Sequence, residues 1–185
     1  MILSDSAILK GIESGDIVIS PFNPKHVNPN SVDLTLDNIL RYYYLDRGTH
    51  LDPKKYNSTN EVTIPEEGIV LYPGNLYLAS TVEKAGTTVY HSQLKGKSSL
   101  ARLGIFIDCT ASWGDTGFVN NWTLEISVIH PVKVYPGMKI CQIIFTEVKG
   151  EVLVPYNVKP DSKYNGDNRA KESLYHKNYN DADNG

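Results

Sequence analysis

The apolar residues of this chain fall in short runs, and ten prolines and fourteen glycines lie between them. Punctuation that dense suits an all-β fold with many turns. One pattern occurs twice: Ile69-Val-Leu-Tyr72, then Pro73-Gly74, then Leu76-Tyr-Leu-Ala79, and again Val132-Lys-Val-Tyr-Pro136-Gly137-Met-Lys-Ile140. Each copy reads as a hairpin-like pair of strands turning at a Pro-Gly corner. At 185 residues and 41% hydrophobic content, the chain is long enough for one ordinary domain with a buried core.

The rest of the chain fills in around these corners. Ser4 and Gly15 bracket DSAILKGIES, a short helix with an N-cap, a terminal glycine and an apolar stripe at Ile8 and Ile12. Ile17-Val18-Ile19 is a brief strand closed by Pro21. From Pro29 to Leu36 the residues alternate, with Val32, Leu34 and Leu36 inward and Ser31, Asp33 and Thr35 outward. Leu40 to Leu45, with three consecutive tyrosines, reads as a strand exposed on one side, and residues 46 to 66 as a long loop or loose hairpin. Ile140 to Phe145 is nearly all apolar, as in a strand buried on both sides. After Tyr156 the chain turns polar. The expected division is therefore a β domain over 1–156 and a C-terminal segment over 157–185, mobile or ordered on binding.

The chemistry concentrates between Gly96 and Glu125. Gly96-Lys97-Ser98-Ser99 combines a free backbone, a cation and two hydroxyls, a set suited to an anion. Arg102 follows one helical turn later and falls on the same side. Asp115 lies in a Gly-Asp-Thr-Gly turn. In Trp122-Thr-Leu-Glu-Ile-Ser-Val128, Trp122, Leu124, Ile126 and Val128 share one face, while Thr123, Glu125 and Ser127 share the other. A carboxylate there either faces solvent or belongs to a site.

Several classes of function fit poorly. A net charge of −3 argues against a general nucleic-acid binder. No apolar run is long enough to span a bilayer, and MILSDSAILK lacks a signal-peptide core, so no membrane partner is expected. Cys109 and Cys141 are too few and too far apart for a disulfide framework; they read as buried small hydrophobes in a reducing cytoplasm. The His-x-Glu and Pro-Cys-x-x-Cys signature of zinc deaminases is absent, and the five histidines lack ligand spacing.

Four ordered blocks, Lys97-Ser-Ser-Leu-Ala-Arg-Leu-Gly104, Thr110-Ala111, Asp115-Thr-Gly-Phe118 and Leu124-Glu125, resemble the dCTP deaminases of the trimeric dUTPase-like superfamily. Ser31-Val-Asp-Leu34 resembles another block of that family, and the likeness extends to about Tyr164. It implies a mainly β, distorted barrel or jelly-roll with a short N-terminal helix, assembled as a homotrimer with sites between subunits. It also implies hydrolytic deamination of a deoxycytidine nucleotide, dCTP first, without zinc and with Mg²⁺ on the substrate's phosphates.

By the same resemblance Glu125 is the catalytic acid and base, Arg102 sits beside it, and Ser98 holds the water or amino group near Cys109, Thr110 and Ala111. Lys97, Ser99, Tyr156 and Lys163 match phosphate contacts. Asp115 matches an aspartate that meets the deoxyribose and, in dUTPases, orients water towards the α-phosphate. Trp113, two residues before it, and Gln142 resemble the bifunctional members that carry dCTP to dUMP and pyrophosphate; Trp113 read as a core residue is the plainer alternative. For Asp33 a structural role is expected. The tail departs from the family's Lys-Tyr-x-x-Gln-x-Gly, with Asp167 in place of the glutamine and Arg169 in place of the glycine. A simple dCTP deaminase, a dCMP-type deaminase, a plain dUTPase and a non-catalytic nucleotide sensor are the alternatives.

Overall fold

The computed structural model describes residues 1–107, 111–166 and 169–180. Helix α1 (Asp5–Ser14) begins where the Ser4 hydroxyl accepts from the Ala7 N–H and ends at Gly15 in a left-handed conformation, as the sequence indicates. Ile8 beneath it is fully buried and Ile12 packs at the core's edge. Strands β1 (Ile17–Ser20) and β2 (Val27–Asn28) precede β3 (Ser31–Tyr42). The twelve residues of β3 form one continuous strand, joining two segments that the sequence pattern separates. Then follow β4 (Asn60–Thr63), β5 (Ile69–Leu71), β6 (Tyr77–Thr87), β7 (His91–Gly96), helix α2 (Ser98–Ala101) and β8 (Ile105–Phe106). After them come β9 (Trp113–Gly114), β10 (Val119–Val128), β11 (Val132–Val134), β12 (Lys139–Thr146) and helix α3 (Lys177–Asn180).

Among the described residues, ten strands form one antiparallel sheet whose main path runs β8-β10-β6-β3-β12-β7-β9, with β1, β2 and β4 alongside. The sheet curls into a half-barrel around a core that includes Leu34, Leu36, Leu124, Ile126, Ile143 and Phe145. Burying each of these large side chains contributes about 1.5–3 kcal/mol. Strand β10 alternates as its sequence predicts: Trp122, Leu124, Ile126 and Val128 are buried, while Thr123, Glu125 and Ser127 face the other way. On β12, Ile140, Cys141, Ile143 and Phe145 are fully buried, whereas Gln142 and Ile144 are half-buried. No helix among the described residues is long and apolar enough to cross a membrane.

The two Pro-Gly units turn as expected but do not form hairpins. Gly74 and Gly137 carry φ of 84° and 72°, as the second corner of a type II turn requires. A type II corner splays its flanking strands, unlike the primed turns that close hairpins. The first strands of the two units therefore pair with each other, β5 with β11, in a separate two-stranded sheet. Their second strands, β6 and β12, enter the large sheet on either side of β3.

Asp33 does not face solvent. It is 4% exposed, accepts a hydrogen bond from Asn28, and pairs with the ammonium groups of Lys97 and Lys139. Burial alone would push its carboxyl up, but the bonds from Lys97, Lys139 and Asn28 outweigh that and hold it below the usual range. Asp33→Asn leaves two part-exposed ammonium groups over an amide. The expected loss is about 2–3 kcal/mol at neutral pH, read by urea unfolding. A depressed folded-state pKa contributes stability above the unfolded-state pKa and loses it as pH falls through the folded value. The gap between wild type and variant should therefore close below about pH 4. A gap that persists in stronger acid would assign the loss to packing instead.

Candidate active site

Because β10 buries its even-numbered face, Glu125 and Thr123 project from the opposite face into a cleft of about 390 Å³. Leu76 and Leu78, from the approach to and the start of β6, form one wall, and Ala111, Trp113 and Asp115 form the rim around β9. Tyr156, Tyr164 and the stretch Lys171-Glu172-Ser173 close it from the C-terminal side. The backbone N–H of Glu125 donates to the Ile107 carbonyl, which anchors this part of β10 to the chain leaving β8.

Asp115 is presented by a turn held on several sides. The Phe118 N–H donates to the Asp115 carbonyl, the Gly117 N–H to Thr87, and the Thr116 hydroxyl to the Tyr90 carbonyl. The Tyr156 N–H in turn donates to the Thr116 carbonyl, tying the C-terminal segment to the same turn. The side chain of Asp115 accepts from the Trp113 indole N–H at 3.0 Å. Trp113 is not a core residue: it is 67% exposed, and its ring stacks on His91 with centroids 3.8 Å apart. Phe118 meets Trp122 and Tyr156 edge-on at 4.9 and 5.3 Å, forming the aromatic wall behind the turn.

Part of the C-terminal segment is tied to the β domain by side-chain contacts. Glu172 accepts from the Tyr56 hydroxyl at 2.7 Å and pairs with Arg41 at 3.6 Å. The Ser173 N–H donates to the Tyr43 hydroxyl, and the Leu174 N–H to the Tyr164 hydroxyl. Burial pushes the Glu172 carboxyl up, but its bonds to Tyr56 and its own backbone, with the Arg41 charge, bring it below its ordinary value. The bond to Glu172 raises the Tyr56 hydroxyl.

The cleft thus gathers Ala111, Trp113, Asp115, Glu125 and Tyr156 from the residues singled out by sequence. Lys97, Ser98, Ser99 and Arg102 do not line it. They lie on and around the largely exposed α2, where the Arg102 guanidinium donates to the Ser98 carbonyl at 2.8 Å, on one side as expected. The Lys97 ammonium is engaged by Asp33. Gln142 accepts from the Ser31 hydroxyl and donates to the Gly96 carbonyl, so its amide props the entry to α2. Lys163 is half-buried outside the lining and Arg169 is exposed. Cys109, Thr110 and Asp167 lie outside the described residues.

Sequence reasoning missed Tyr43, Tyr164 and Lys171-Glu172-Ser173. The tyrosine density at Tyr42-Tyr43-Tyr44 was the one available hint; nothing marked Lys171 to Ser173 within a polar tail. Among the described lining residues, Asp115, Glu125 and Glu172 are the carboxylates and Lys171 is the cation.

Gly114 allows the close approach of β9 to β7 and β10. A Cβ there would lie 2.4 Å from both the Ser92 hydroxyl and the Trp122 ring. Gly114→Ala should cost about 2–3 kcal/mol in thermal or chemical unfolding and displace the turn that carries Asp115. An unchanged melting temperature would mean that this crossing is loose.

The model of the dCTP deaminase-like family matches residues 2–148. A relative from Clostridium botulinum (strain Eklund 17B / Type B) is 45% identical over 179 residues, covering 97% of this chain and 99% of its own. One from Leptospira biflexa serovar Patoc is 43% identical over 179 residues, covering 97% and 98%. A third, from Cytophaga hutchinsonii, is 41% identical over 177 residues, covering 93% and 98%. All three are named "dCTP deaminase, dUMP-forming". Among solved structures, the 2'-deoxycytidine 5'-triphosphate deaminase from Agrobacterium tumefaciens matches with a TM-score of 0.62 at 23% identity. That match covers 80% of this chain and 48% of the other, so the chain spans about half of that protein, and the likeness bears on the fold alone.

Proposed function

This chain belongs to the dCTP deaminase-like family, and on that premise we propose that it is a dCTP deaminase that forms dUMP. Two hydrolyses run in sequence. In the first, dCTP and water give dUTP and ammonia; in the second, dUTP and water give dUMP and pyrophosphate. The observation that carries this reading is that Glu125 and Asp115 share one cleft, with Asp115 fixed by the Trp113 N–H.

Deamination needs one group that takes a proton and returns it. Glu125 takes a proton from water as the oxygen attacks C4 of the cytosine, and delivers it to N3. The resulting tetrahedral carbon carries a hydroxyl and an amino group. The same carboxylate moves the hydroxyl proton to the amino nitrogen, the C4–N bond breaks, and ammonia leaves. Asp115 serves the second step by orienting water towards the α-phosphate. Ala111 and Trp113 shape the space around the base and sugar, and Tyr156 and Lys163 approach the phosphates.

Ser98 and Arg102 reach Glu125 from a second subunit. Supporting this, they lie on an exposed helix outside the cleft of their own chain. Leu103, Phe106 and Ile129 beside them are each more than half exposed, an apolar surface suited to subunit contact. A guanidinium brought next to Glu125 orients that carboxylate, and Ser98 holds the water or the amino group. Ser99 meets the phosphates from the same helix start, which Gln142 supports through Gly96, while Asp33 holds Lys97 there. The homotrimer that the resemblance implies would supply that second subunit.

Among the described residues no three His, Cys, Asp or Glu side chains gather as a metal-ligand set. The fit is to Mg²⁺ carried on the substrate's phosphates, since Mg²⁺ keeps several waters and needs few protein ligands. When bound it neutralises phosphate charge in a cleft that already holds three carboxylates.

Incubating the protein with dCTP and Mg²⁺, and resolving dCTP, dUTP and dUMP over time, tests the reading. Wild type should yield dUMP with little free dUTP. Glu125→Gln should lower deamination by at least about a thousandfold in a folded protein. Asp115→Asn should let dUTP accumulate. Full deamination by Glu125→Gln would contradict the assignment.

A further inference from the structure

Strand β7 carries a residue that none of the chemistry above uses. In the β7–β9 pairing, Ser92 lies opposite Gly114 and Gln93 opposite Trp113. The same register sets His91 opposite Asp115 and diagonal to Trp113, within reach for a large ring. The imidazole takes up that position, with its centroid 3.8 Å from the indole and the ring planes 32° apart. Its Nδ1 is 3.0 Å from the Gly114 carbonyl. A carbonyl can only accept, so Nδ1 carries the hydrogen. The Nε2 atom is buried and has no hydrogen-bond partner among the described residues.

We infer that His91 is a positioning residue for the dUTP-hydrolysing step, holding the Trp113 indole so that its N–H fixes the Asp115 carboxylate. Three linked contacts carry this: Nδ1–H to the Gly114 carbonyl, ring on ring to Trp113, and indole N–H to Asp115. Trp113 is two-thirds exposed, so no core packing fixes its plane, and the imidazole is the ring that backs it. His91 does not line the cleft and acts through Trp113. Glu125 shares the cleft but makes none of these three contacts, so the proton transfers of deamination should be largely spared. The inference rests on the dUMP-forming reading.

Two substitutions separate the ring from the hydrogen bond. His91→Asn keeps a donor near the Nδ1 position and loses the stacked ring; His91→Phe keeps the ring and loses the donor. Melting curves establish that both fold. Tryptophan fluorescence follows Trp113, the other tryptophan, Trp122, being 4% exposed in the core. We expect His91→Asn to consume dCTP within about twofold of wild type while converting supplied dUTP about tenfold more slowly, so that dUTP accumulates. Its emission should shift relative to wild type, and a Trp113→Phe background should abolish that shift. His91→Phe should restore the second step to within about threefold. Equal loss of both steps, no loss of either, or identical behaviour of the two variants would overturn the inference. A wild-type protein that forms no dUMP from dUTP would overturn the reading beneath it as well. Wild-type conversion with an unaltered His91→Asn variant would overturn this inference alone.

Discussion

The two-residue alternation of β10 is the constraint from which the site follows. Every second side chain from Trp122 to Val128 is committed to the core, so Glu125 has one direction left to face. A slip of one residue would bury the carboxylate and expose Leu124, a cost no site could offset. The burial that holds the sheet together therefore also aims the candidate catalytic group. Asp115 depends on the core less directly, through a turn bonded to Thr87 and Tyr90 around the end of β6 and the start of β7.

A second anchor lies on the other side of β3. Ser31 and Asp33 alternate with core residues along that strand, and each reaches towards the entry of α2, one through Gln142 and one through Lys97. The exposed helix with Ser98 and Arg102 is thus set by polar contacts from β3 and β12 even though its own residues pack little. Preformed geometry at an exposed helix suits a group that must meet another surface. The cleft with Glu125 and this helix lie apart on one chain, the helix outside the cleft's lining.

What the sequence revealed follows from how local each signal is. The helix ends at Ser4 and Gly15, the facing of Glu125 and the direction of the Pro-Gly corners are each decided within a few residues, and all were legible. The pairing of β5 with β11 was not, because a corner specifies where a chain turns and not which distant strand receives it. A structural role for Asp33 was legible, but its partners were not, since Lys97 and Lys139 are more than sixty residues away. The clasp of Glu172 by Tyr56 and Arg41 joins two polar stretches whose composition alone suggests loop and tail. Family resemblance named Arg102 and Glu125 together, yet the fold of one chain keeps them out of a common cleft.

That separation makes complementation the most direct measurement. Glu125→Gln and Arg102→Ala proteins, each inactive alone, would be mixed at equal amounts, reassorted under mild denaturant and assayed for dCTP deamination. If each site takes Glu125 from one subunit and Arg102 from another, random reassortment leaves about a quarter of the sites intact, and activity should recover to that level. Reassortment verified by a tag exchange, with no recovered activity, would place both residues in one chain's site and contradict the shared-site account.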